Sequence, residues 1–194
     1  MVQFFSPISV SAKKISHKIT IYLILLSYIE LNKNNCSIIH IIMAKITLRK
    51  VEEKDWDFLV QIRNEPEVRN ACKNTSYFTK DEYKKYINEQ LKQNSFNRHW
   101  IILYDGEIAG HTKVINQQFG YIIDKKFRNK GLAKEIMDRV FEKVKAMGIS
   151  KVYDIIKVNQ PIPLWLAIKN GFKMTGIISD EDKKPYAYKL EKPI

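Results

Sequence analysis

Apolar positions along the chain fall at two alternating spacings, and the switches between them mark the elements. Ile46 to Leu48 reads as a first strand. From Asp55 to Arg63, Trp56, Leu59, Val60 and Ile62 recur at helical spacing, and Pro66 marks the end region of that helix. Thr79 with Glu82 three residues on makes a capping box, and Tyr83, Tyr86, Ile87 and Leu91 continue as one apolar stripe. Trp100 to Tyr104 and Glu107 to Val114 read as an antiparallel pair, because Asp105-Gly106 accepts the positive φ of a tight hairpin. Phe119 to Asp124 is a further strand. Leu132 to Met147 carries Leu132, Ile136, Val140 and Val144 four apart before Gly148, which predicts the longest helix. Lys151 to Val158, Phe172 to Ile178 and Tyr186 to Leu190 read as strands, with a helix from Ile162 to Ile168.

The order β-α-α-β-β-β-α-β-α-β-β, with antiparallel runs around one β-α-β crossover, predicts a mixed sheet of the α/β class covered by helices. The first 43 residues differ from this pattern. They are rich in Ile, Ser, Lys and Asn, and their apolar stretch from Ile19 to Ile29 is about half of the roughly 20 residues a spanning helix needs. Lys13, Lys14 and Lys18 imitate the start of a secretory signal, but no small-residue cleavage site follows. Met43-Ala44 directly precedes the first strand, so residues 1–43 are expected to be a leader outside the functional protein and residues 44–194 its one domain.

Composition narrows the class. The 194 residues are 45% apolar and 28% charged, a globular balance. Cys36 and Cys72 form no CxxC pair, which argues against a zinc site or a disulfide framework and for a reducing, cytoplasmic setting. No metal is expected. The formal charge is +12, and without residues 1–43 the body still holds 29 basic and 20 acidic residues. Such a surface attracts anions. One reading is a nucleic-acid-binding protein with Lys73, Lys80, Lys84, Lys85 and Lys92 as its patch, but no recognition-helix, zinc-finger or RNP pattern accompanies them, and nucleic acid is not the expected partner. Neither a membrane partner nor a membrane anchor is expected, and a homodimer is left open.

The chemistry concentrates in YIIDKKFRNKGLA, Tyr121 to Ala133: a strand, a basic turn, then Gly131 at the mouth of the long helix. Free backbone N–H groups and the positive end of the helix dipole meet there, an arrangement that suits a phosphate or pyrophosphate. Lys125, Lys126, Arg128 and Lys130 add charge. The same turn is equally read as a helix-start glycine in a solvated loop, and neither GxGxxG nor GxxxxGK occurs.

RNKGLA resembles the R/Q-x-x-G-x-G/A signature of the GCN5-related N-acetyltransferase superfamily. ITLRKVEEKDWDFL, YDGEIAG, YIIDKKF and NGFK are similar to its other landmarks in the same order. The resemblance implies a mostly antiparallel sheet whose fourth and fifth strands splay apart, helices on both faces, and acetyl-CoA in the gap as cosubstrate. It implies that main-chain amides of Arg128, Asn129, Lys130, Gly131, Leu132 and Ala133 hold the pyrophosphate, that Ile123 and Tyr121 meet the pantetheine arm and thioester carbonyl, and that Asn159 contacts the same arm. Asn159 lies twelve residues before Gly171, one more than the family spacing, which puts Gln160 in the usual register.

By the same likeness the reaction is acetyl transfer to a primary amine by direct attack through a tetrahedral intermediate, the acceptor being a small molecule, an amino sugar or a protein N-terminus. The family's thiolate-protonating Tyr is replaced by Leu166 or Ala167. A thiol of pKa about 8.5 leaves as thiolate at pH 7 for only about 2 kcal/mol, so that loss is tolerable. Freeing a lysine-type amine costs roughly 4 to 5 kcal/mol and an α-amine about 1, which favours a low-pKa acceptor. Asp154, in the apolar fifth strand, is the first candidate base, with a structural ion pair as an equal reading, and His111 the second, although a lone histidine is more often a packing or surface residue. Arg63, Asn64, Glu67, Val68 and Arg69 in QIRNEPEVRN resemble a first-helix signature of members acting on nucleotide-linked amino sugars or on ribosomal-protein N-termini, where Arg63 and Arg69 would grip a diphosphate bidentately; ordinary helix-end charges account for them equally well.

Overall fold

The computed structural model describes residues 46–194, so the expectation for residues 1–43 lies outside the described residues. Seven strands form one sheet in the order β1-β2-β3-β4-β5-β7-β6. They are β1 (Ile46–Lys50), β2 (Arg98–Tyr104), β3 (Glu107–Ile115), β4 (Gln118–Ile123), β5 (Lys151–Lys157), β6 (Lys173–Ser179) and β7 (Pro185–Pro193). Every neighbouring pair is antiparallel except β4 and β5. The helices are α1 (Trp56–Arg63), α2 (Pro66–Ala71), α3 (Lys80–Gln93), α4 (Ala133–Ala146) and α5 (Pro161–Lys169).

The alternation within β2 sets the two layers. Trp100 and Ile102 belong to one core with Ile136, Met137, Val140 and Val144 of α4 and Ala167 of α5. Ile101, between them, packs with Trp56 and Leu59 of α1 and Tyr83 and Ile87 of α3. Helices therefore cover both faces, as a period of two requires of a strand apolar throughout. The apolar residues four apart on α4 are fully buried, each contributing roughly 1.5–3 kcal/mol of transfer free energy. None of the described helices is long and apolar enough to cross a membrane.

Local chemistry explains the boundaries. Thr79 and Glu82 exchange the capping-box hydrogen bonds that start α3, and Asp105 and Gly106, with φ of 49° and 85°, turn the β2–β3 hairpin. Asn116 and Gln117, with φ of 49° and 68°, turn the next one. The sequence reading differs in one element: Pro66 does not close off a helical region but occupies the first turn of α2, where its missing N–H and fixed φ cost nothing.

The feature that positions the site is the seam between β4 and β5. These strands share one register pair, Gln118 with Tyr153, and a bond from the Tyr153 N–H to the Gln117 carbonyl at 3.0 Å. Beyond it β4 stays with β3 and β5 with β7, so the two part. β3 approaches β4 so closely here that a Cβ on Gly110 would lie 2.2 Å from the Ile122 carbonyl oxygen.

Candidate active site

Where β4 ends, the chain makes a turn whose geometry is set by its own side chains. The Asp124 carboxylate accepts from the Lys126 N–H at 2.8 Å and caps the short 3-10 turn Lys125–Phe127. Phe127 is buried and anchors the turn in the core. Asn129 and Gly131 then take positive φ, 61° and 75°. A Cβ at Gly131 would meet nothing within 4 Å, so the glycine answers to its backbone conformation and to whatever occupies the open side, and not to crowding by the protein.

Helix α4 starts immediately afterwards, and Leu132 at its N-cap supplies no side-chain cap. The first amide to find a helical partner is that of Ile136, on Leu132. The donors before it face outward with the helix dipole behind them, which suits an anion such as a pyrophosphate.

The basic residues of the turn are engaged within the protein. Arg128 donates through Nε to the Ile123 carbonyl at 2.8 Å and pairs with Glu65 at 2.5 Å and Glu67 at 3.0 Å. Lys125 pairs with Glu67 and Lys126 with Glu107. The Lys130 ammonium lies 4.8 Å from the centre of the Phe127 ring. Much of the charge read from this turn is thus already balanced, and main-chain donors are left as its anion-binding element. Arg128 ties the turn to the α1–α2 connection.

A second group of residues gathers where β4 and β5 part. Asp154 on β5 is half-buried and accepts from the Ile155 N–H at 2.7 Å. Burial pushes its carboxyl up to about 7, with the Ile155 N–H and the Lys113 ammonium pulling the other way. Tyr121 is pushed up to about 12 by burial and by the nearby Asp154 charge, so its hydroxyl is a hydrogen-bond donor and a poor acid. Lys113, on β3, has its ammonium lowered by burial and by Arg63, while Cys72 and Asp154 raise it, so all three act on one point.

Arg63, at the end of α1, is 5% exposed. Its Nη2 donates to the Asn74 carbonyl at 2.6 Å, its guanidinium lies over the Phe78 ring at 5.0 Å, and its Nη1 has no partner among the described residues. Arg69 Nε is likewise buried without one. Lys157 of β5 donates to the Asn70 carbonyl at 2.7 Å and fastens the last turn of α2 to the strand.

Three residues stand apart from these groups. His111 is buried in β3, with its Nε2 at 2.9 Å from His99 Nδ1, and His99 Nε2 at 3.1 Å from Gln90 Oε1. Burial holds His111 down at about 3, so the ring is a neutral packing group and a weak base. Of its two readings, packing suits this setting better than proton acceptance. Asn64 spends its amide on the Phe78 main chain, donating at 2.7 Å and accepting at 2.9 Å, and so shapes the loop. Asn159 is exposed in the turn after β5, while Gln160 is half-buried at the start of α5. The sequence offers one signal for Lys113, a charged residue in the strand EIAGHTKVI, and shows Cys72 only as a cysteine without a CxxC partner.

Of the alternative basic patch, Lys80 and Lys84 pair with Asp57 and Glu53. These lysines form a surface ion-pair layer over α1, the common fate of exposed charge.

A family model described as an acetyltransferase (GNAT) domain matches residues 45–173. The L-amino acid N-acetyltransferase AaaT of Escherichia coli is 22% identical over 144 residues, covering 69% of this chain and 86% of the relative. Among solved structures, the spermidine N-acetyltransferase of Vibrio cholerae with CoA and spermine superposes with a TM-score of 0.68 at 20% identity, over 77% of this chain and 95% of its own. The ribosomal alpha-N-protein acetyltransferase RimL with coenzyme A superposes with a TM-score of 0.65 at 16% identity, over 77% and 94%. At these identities the superpositions establish a shared fold.

Proposed function

The chain belongs to the acetyltransferase (GNAT) domain family and is an acetyl-CoA-dependent N-acetyltransferase, and on that premise we propose how its own residues carry out the transfer and which amine it takes. The observation that carries the reading is the uncapped start of α4 beside the parting of β4 and β5. Amides without a main-chain partner and free space at Gly131 suit a pyrophosphate, and β4, which β5 leaves after one register pair, offers its edge to a long, thin arm.

In this reading the amides of Arg128 to Ala133 hold the pyrophosphate, and Tyr121 and Ile123 border the arm. Acetyl-CoA supplies an activated acetyl group. Asp154 takes a proton from the attacking amine, and β4 main-chain groups that β5 leaves unpaired beyond Gln118 stabilise the oxyanion that develops. His111 takes no part, and Asn159 or Gln160 approaches the arm from the β5 turn.

The acceptors named for the relatives are L-amino acids, spermidine and a protein α-amine. The proton balance favours an α-amine or another amine of low pKa. A carboxylate near 7 lies within about one unit of an α-amine at 7.7–8.0 and more than three units below a lysine-type amine. The test is free-thiol release from acetyl-CoA across a panel of amines. Turnover of α-amines above alkylamines of pKa near 10 supports the reading, and no turnover of any amine by folded protein ends it.

A further inference from the structure

We infer that the acceptor carries an anionic group, a carboxylate or a phosphate, close to its reacting amine, and that the Arg63 guanidinium binds it with Arg69 and Lys113 beside it. The inference rests on the transferase reading above and narrows its substrate.

A guanidinium as deeply buried as that of Arg63 is costly unless all of its donors are met. Two features hold it in place, the Asn74 carbonyl on Nη2 and the Phe78 ring beneath the plane, yet Nη1 meets nothing. The fork is therefore fixed with one buried N–H left unmet. Arg69 repeats the pattern with a buried, unmet Nε one turn before Cys72. Neither donor is paired by an acid, although Glu65 and Glu67 stand in the same segment, because Arg128 and Lys125 take those carboxylates.

Lys113 connects this corner to the chemistry, since its ammonium feels both the Arg63 guanidinium and the Asp154 carboxylate. Two cationic groups, Arg63 and Lys113, thus act close to one carboxylate. A planar fork with a buried, unmet N–H favours carboxylate or phosphate as the partner it lacks. The same cluster repels a polyamine, whose second ammonium would have to replace the anion. An acceptor with amine and anion on neighbouring carbons places the amine toward Asp154 and the anion toward Arg63.

The experiment uses matched acceptors that differ only in the anion: an L-amino acid beside its decarboxylated amine, and phosphoethanolamine beside ethanolamine, with putrescine as a polyamine. In the parent, the anionic member of at least one pair is expected to have a kcat/KM higher by roughly tenfold to a hundredfold, the range of a charge-assisted hydrogen bond. The pair that shows it identifies the anion. Arg63→Gln removes the preference through KM, Arg63→Lys restores part of it, and acetyl-CoA affinity measured by calorimetry stays at the parental value in both. Arg69→Gln, at a half-buried position, reads the same effect should the Arg63 variants not fold.

Equal use of both members of each pair, preference for putrescine, or a preference that survives in Arg63→Gln overturns the inference. So does a protein that binds acetyl-CoA and acetylates none of the anionic amines. Failure of the folded parent to bind acetyl-CoA at all takes down the transferase reading itself, which separates the two failures.

Discussion

The Arg128 guanidinium meets the Glu65 carboxylate at 2.5 Å, joining the turn before α4 to the connection between α1 and α2. One end of this link belongs to the proposed cofactor site, and the other lies two residues from Arg63 of the proposed acceptor site. A planar fork shared between Glu65, Glu67 and the Ile123 carbonyl is a geometric tie that an ammonium cannot reproduce. Arg128→Lys and Glu65→Gln are therefore expected to raise KM for both acetyl-CoA and the amine by several fold while leaving the fold intact. Initial-rate kinetics with each substrate varied in turn checks this, and a change confined to one substrate argues against the coupling.

Gly131→Ala places a Cβ where φ is 75°. The left-handed conformation costs a non-glycine residue roughly 1–2 kcal/mol, and the added methyl projects toward the proposed pyrophosphate. Acetyl-CoA affinity measured by calorimetry should fall at least tenfold, with a drop in melting temperature of a few degrees.

Asp154→Asn separates chemistry from stability. The loss of a base is expected to lower kcat/KM by about a hundredfold or more, and the parental rate should fall below pH 7 as the carboxyl takes its proton. The same substitution should stabilise the protein. Between an unfolded value of about 3.9 and a folded value of about 7, the native state holds a proton that the unfolded chain releases. Stability contributed by this site thus falls as pH rises through that window. The asparagine variant should melt higher than the parent at pH 8, and the gap should close near pH 4.

The buried pair His99 and His111 has the opposite sign. Burial holds both rings neutral in the native state, while the unfolded chain takes up protons below about 6.5. Their contribution is present above that value and is lost as pH falls through it. Replacing both with leucine removes the two charged forms together, and urea unfolding between pH 7.5 and pH 5 should then show a flatter decline than the parent. An unchanged slope would contradict the buried, neutral assignment.

Much of the fold was legible because its signals are local. Thr79 with Glu82, Asp105 with Gly106, and the apolar residues four apart before Gly148 each state their structure within a few residues. Helix α2 escaped notice because Pro66 reads as a terminator and acts here as an initiator. The turn at Gly131 was equally legible. What the sequence concealed were partnerships between distant segments: Arg128 with Glu65, His99 with His111, and the grouping of Arg63, Cys72, Lys113 and Asp154. No spacing rule brings residues 63 and 154 to one place. They meet only through tertiary structure, at Lys113 of β3, with the end of α2 fastened to β5 by Lys157.

The most direct test of the account is an amide NMR titration of the protein with acetyl-CoA. The account predicts that the N–H signals of Arg128 to Ala133 shift furthest, in proportion to saturation, and that Gly131→Ala suppresses the response. Binding that moves amides elsewhere and leaves this turn silent would contradict it.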